Sequence, residues 1–111
     1  MNITNTSREL TPQEKYRLTM SPEILSLHKI EDNDTLTVSA FLEFDDVDSK
    51  GEETHVLSIL GTDDVVWCMQ SATAKRSFFD MVSIFGNEGF TVKKISGETK
   101  AGREYVNLTL A

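Results

Sequence analysis

The stretch FTVKKISGETKAGREYVNLTLA, Phe90 to Ala111, gathers the residues best suited to bind a polyanion. Lys93 and Lys94 are adjacent, Lys100 and Arg103 follow, and Tyr105 comes two residues later. An ammonium neutralises a phosphate as a point charge, and a guanidinium can fork onto one or stack on a base. A tyrosine ring offers its face to an unpaired base. Gly97 and Gly102 allow close backbone approach or positive φ. Phe41 and Trp67 are the other aromatic candidates. Phe41 alternates with Thr35, Thr37, Ser39 and Glu43 and so reads as outward-facing. Trp67 lies in VVWCM, where apolar neighbours favour the interior. Plainer readings stand beside these: a solvated tip for the cations, an edge cover for Tyr105, packing under an N-terminal helix for Phe41.

Other chemistry has weaker footing. In DDVDSKGEE, Asp46, Asp48 and Gly51 imitate a calcium loop, but Lys50 and Leu57 occupy positions where such a loop needs ligands. His28 and His55 sit in no ligand pattern, and Cys68 lies in an apolar strand, where a thiol packs rather than reacts. Lys75 and Arg76 fit the exposed first turn of a helix. No metal, cofactor or catalytic group is expected, so the chain reads as a binding protein and not an enzyme.

Charge is unevenly placed. The 111 residues carry a net charge of −7. Residues 1–72 hold five Lys/Arg against fourteen Asp/Glu, whereas residues 73–111 hold six against four. The average argues against tight duplex binding but leaves room for a local polyanion site. One cysteine permits no internal disulfide. The opening residues lack the pattern of a signal peptide, and no apolar run approaches the ~20 residues of a membrane span. A cytoplasmic protein is expected.

The elements that must position these residues follow from periodicity. TPQEKYRLTM carries a capping box, Thr11 to Glu14, with Pro12 at the first helical position. SPEIL begins a second brief turn. DTLTVSAFLEF alternates, with Leu36, Val38, Ala40, Leu42 and Phe44 on one side. THVLSIL and VVWCMQ are further strands, and SATAKRSFFDMVSIFG switches to helical spacing between Ser71 and Gly86. FTVKKIS and REYVNLTL return to strand, with a bulge expected at the lysine pair because Val92 and Ile95 are both apolar. The order βββαββ behind a helical lead (residues 1–30) predicts a mostly-β single domain over residues 1–111. Its expected form is an OB-fold-like five-stranded barrel, a fold that commonly binds oligonucleotides, and a split α+β sheet of the same order is the alternative.

SRELTPQEKYRLTMSP, SATAKRSFFDMVSIFG and ISGETKAGREYVNLTL together resemble the small single-stranded-DNA-binding proteins of bacteriophages that infect Gram-positive bacteria. The similarity spans nearly the whole chain in short segments. It implies an OB-type domain that coats unpaired DNA during phage replication, in the host cytoplasm. It also implicates Lys93, Lys94, Lys100, Arg103 and Tyr105. The expected partners are single-stranded DNA and other replication proteins, with no membrane, for a monomer or homodimer. An alternative rests on the run from Glu31 to Asp64, with eleven acids and one lysine. So dense a negative stretch suits an interaction protein that imitates nucleic acid and occupies a host protein's basic groove.

Overall fold

The N-terminal helix begins as its sequence dictates. Thr11 Oγ1 accepts from the Glu14 amide at 3.1 Å, and Glu14 Oε1 accepts from the Thr11 amide at 3.0 Å. This reciprocal cap opens α1 (Pro12–Thr19) and satisfies two amides that the first turn leaves unpaired. The Arg8 guanidinium grips the same carboxylate at 2.7 and 3.2 Å, which, with the Thr11 amide, holds the Glu14 carboxyl down to about 2. The computed structural model describes residues 1–86 and 88–111.

Among the described residues, seven strands form one curled, half-barrel sheet. They are β1 (Asn2–Thr6), β2 (Leu25–Ser26), β3 (Thr35–Val47), β4 (Glu53–Gly61), β5 (Val66–Met69), β6 (Thr91–Glu98) and β7 (Glu104–Leu110). The long helix α2 (Ala72–Phe85) lies between β5 and β6. The five expected strands and their helix are present in the expected order, a mostly-β, OB-like barrel. No ladder joins β5 to β7 among the described residues, so the barrel stays open. The lead is not wholly helical. It opens with β1 on β3, and after α1 and a turn at Pro22 it adds β2 parallel to β5, followed by a 3₁₀ turn over Leu27–Lys29.

β3 corrects the simplest expectation. Val38 pairs with Gly61 and Ala40 with Leu60, so Ser39 is an extra residue that bulges out of the ladder with β4. One inserted residue exchanges the two faces. Before the bulge Leu36 points into the main core. Beyond it Phe41 does so, while Ala40, Leu42 and Phe44 face the opposite side. That second side is not solvent: Leu10, Leu18 and Ile3, from the N-terminal lead, cover it.

Phe41 therefore lies inside, 8% exposed, and offers no ring to a ligand. It packs on α2 rather than on the N-terminal helix. Its ring meets Phe78 at 5.3 Å and Phe79 at 5.4 Å, both edge-on, the favourable geometry for aromatic quadrupoles. Ser71 caps α2 by accepting from the Ala74 amide, and Phe85 at its last turn stacks on Phe90 at 5.0 Å. Trp67 is also enclosed in this core, at 3% exposure.

Phe41→Ala should consequently lower unfolding free energy by about 3–5 kcal/mol in urea titration, as large aromatic deletions do. A surface stacking residue would leave that stability almost unchanged.

Candidate nucleic-acid interface

β6 and β7 form a two-stranded ribbon whose register runs without interruption from Val92↔Leu110 to Glu98↔Glu104. The bulge expected between Val92 and Ile95 is absent from this ladder. Strict alternation instead sends Val92 and Lys94 inward and Lys93 and Ile95 outward. Cross-strand pairing then sets Lys93 beside Thr109, Ile95 beside Asn107 and Gly97 beside Tyr105 on the outer face.

At the tip, the Thr99 amide donates to the Arg103 carbonyl at 2.8 Å and the Gly102 amide to the Thr99 carbonyl at 2.9 Å. Gly102 has φ of +79°, the left-handed residue that closes a three-residue hairpin loop. The loop exposes Lys100, and Arg103 follows it, also exposed. Neither these two nor Lys93 makes an ion pair among the described residues. Tyr105 is 39% exposed, and its ring rests on Gly97. A Cβ there would stand 2.6 Å from the tyrosine oxygen, so only glycine admits this ring position.

Lys94 is the correction within the basic set. Its side chain is 7% exposed, and Nζ donates to Asp32 Oδ1 at 2.9 Å. The second oxygen of Asp32 accepts from the Ser96 hydroxyl at 2.6 Å. An ammonium drawn from water and matched by its own carboxylate is unavailable to a phosphate. Its role is to tie β6 to the loop before β3, where the backbone also pairs: Lys94 N to Asp34 O at 2.9 Å, Asn33 N to Lys94 O at 2.8 Å. Of the seven candidates, Lys93, Lys100, Arg103 and Tyr105 share the ribbon's outer face and tip; Lys94, Phe41 and Trp67 do not.

The far end of β3 is acidic. Asp45 and His55 are cross-strand partners, with His55 Nδ1 2.6 Å from Asp45 Oδ1, and with Glu53 their ligand-type atoms all lie within 4.8 Å of one another. Lys75 Nζ donates to the His55 carbonyl at 3.2 Å, a contact that no local sequence pattern signals. Only the hairpin register, ten residues across the turn, could have announced this grouping. Burial pushes the Cys68 thiol up, which keeps it neutral on its strand. No helix among the described residues is long and apolar enough to cross a membrane.

The Ser96 hydroxyl, and then the Lys94 ammonium, hold the Asp32 carboxyl below its ordinary value. A depressed carboxylate stabilises the fold above the unfolded value of about 3.9 and loses that contribution as pH falls through the folded one. Asp32→Asn should thus lower the thermal midpoint by several degrees at neutral pH, with the gap to wild type closing below about pH 4. Lys94→Met, which removes the charge but keeps the stem, should be neutral or stabilising in the same melts. A scan against protein-family models and searches of curated proteins and of solved structures find no match to this chain.

Proposed function

We propose that the chain binds single-stranded DNA, without sequence preference, through the outer face and tip of the β6–β7 ribbon. One observation carries the reading: Lys93, Lys100 and Arg103, none in an ion pair among the described residues, share a ribbon with a half-exposed tyrosine. The cations hold the backbone while Tyr105 stacks one base. That division gives affinity without base-edge readout. The ring's position on Gly97 fixes one of its faces against the backbone and leaves the rest to a ligand. Because the ring is already ordered, stacking sacrifices little side-chain entropy. The resemblance of three segments to phage single-stranded-DNA-binding proteins adds to this reading. On it, the activity serves phage DNA replication or recombination in the host cytoplasm.

Such an interface is small and salt-sensitive. Fluorescence anisotropy of labelled oligo-dT should give a log–log salt slope of about −2, from roughly −0.7 for each of three neutralised phosphates. Tyr105→Ala should weaken binding by about 1–3 kcal/mol with the slope retained. Lys100→Glu/Arg103→Glu, at two exposed positions, should abolish measurable binding while leaving the melting curve in place. Binding that is absent at low salt, or unchanged in the double variant, would sink the assignment.

A further inference from the structure

A cleft of about 600 Å³ runs over the outer face of β3, β4 and β5, beside the end of α1, and reaches at His28 the edge of the hollow that Gly97 and Tyr105 line. Its size falls in the ~300–1,000 Å³ range of ordinary ligand sites. Phe44, Val56 and Ile24 make an apolar floor, and Asp46 and Asp48 stand at one end. No Lys or Arg lines it. Ser58 belongs to the same floor: it pairs with Leu42 on one side and Cys68 on the other, on the face that carries Val56 and Leu60. It is fully buried, and its Oγ has no hydrogen-bond partner among the described residues. A buried hydroxyl without a partner costs roughly 1–3 kcal/mol, which a ligand's polar group would recover.

We propose that this cleft docks an extended peptide segment of a partner protein, one with a Lys or Arg two residues from a medium-sized apolar side chain. Charge selects the class of ligand. Each aspartate spends one oxygen on the hairpin, Asp46 Oδ1 on the Val47 amide and Asp48 Oδ1 on the Lys50 and Glu52 amides. The second oxygens meet no donor among the described residues, so the acidic end attracts a cation and repels phosphate. Spacing selects the form. Along β3 the apolar Phe44 and the acidic Asp46 are one two-residue step apart, and along β4 Val56 and Thr54 repeat that step. The interval, about 7 Å, equals the distance between same-side residues of an extended chain. A helix would set its neighbours three or four residues apart and would miss this register. The proposal is independent of the DNA reading, since no cleft residue belongs to the β6–β7 ribbon.

The test is a ¹H–¹⁵N correlation titration with the acetylated peptide Gly-Ser-Leu-Thr-Arg-Ser-Gly. A control, Gly-Ser-Leu-Arg-Thr-Ser-Gly, places the two key side chains on opposite sides. Saturable shifts should concentrate on Asp46, Thr54, Val56 and Cys68. Both the control peptide and the Asp46→Asn/Asp48→Asn variant should bind about tenfold more weakly. Asparagine keeps the accepting oxygen that the turn uses, so the variant should fold. Three results would overturn the proposal: no saturation at millimolar peptide, equal response to the control, or shifts centred elsewhere. Concentration-dependent broadening of the cleft amides without peptide would overturn it too, by making a second copy of this chain the occupant. A parallel oligo-dT titration, read at Lys93 and Tyr105, keeps failure here distinct from failure of DNA binding.

Discussion

β3 is buried on both faces along much of its length, and the rest of the molecule is arranged around that constraint. An ordinary antiparallel strand shows one face to water. Here Phe41 and Leu42, consecutive residues, are both enclosed, one under α2 and the other under the N-terminal lead. The bulge at Ser39 makes this workable. It lets one strand serve β6 with its first residues and β4 and β1 with its last, while turning its apolar row from one core to the other. Without the cover from Leu10, Leu18 and Ile3, the outer row of Ala40, Leu42 and Phe44 would be an exposed apolar patch on an open sheet. The lead is part of the fold for that reason, although its helix is only eight residues long and too short to stand by itself.

Cover on one side decides where a ligand can reach. In an OB-type barrel, oligonucleotides commonly use the face of the second and third strands, which correspond to β4 and β5. In this chain α1 packs on that face, β2 extends the sheet along the edge of β5, and the acid-rimmed cleft lies beside them. Lys93, Lys100 and Arg103 lie instead on the ribbon that leaves β3 at its opposite end. Lys94 shows how finely this is set. Shifting β6 by one residue would expose Lys94 and bury Lys93, reversing which ammonium meets solvent. Asp32 fixes the register by giving the inward ammonium a partner that no outward lysine needs.

The strongly local features were legible in the sequence. Thr11 and Glu14 form their capping box within one turn, Ser71 and Gly86 bound α2, and β7 alternates as its sequence reads. What failed to show depended on partners far along the chain. Phe41 sat in a row with Thr37, Ser39 and Glu43, and only a bulge measured against β4 reveals that the row changes sides. Lys94 looked like surface because a lysine usually is; its burial depends on Asp32, sixty-two residues away. Asn2–Thr6 and Leu25–Ser26 become strands through the edges they meet, β3 and β5, since neither is long enough to announce itself. Trp67 was readable as interior from its apolar neighbours, and the core confirms that part of the reading.

The two hairpins use one turn for opposite ends. Ser49–Lys50–Gly51 and Lys100–Ala101–Gly102 are both three-residue loops closed by a left-handed glycine, at φ +80° and +79°. Their backbones are alike, so their difference is one of charge: Asp46, Asp48, Glu52 and Glu53 outweigh Lys50 at the first, whereas Lys100 and Arg103 balance the facing pair Glu98 and Glu104 at the second. Because β6 runs antiparallel to β3 from its first residues, the two tips point away from each other along the sheet. Exposed charges further apart than about 8–10 Å are largely screened at physiological ionic strength. The acidic tip therefore does little to weaken a phosphate bound at the basic one. It does oppose the approach of a polyanion from its own side, as the net charge of −7 does at longer range. A negative average charge and a local anion site are thus compatible, because the strand that separates the tips is longer than the range over which their fields act.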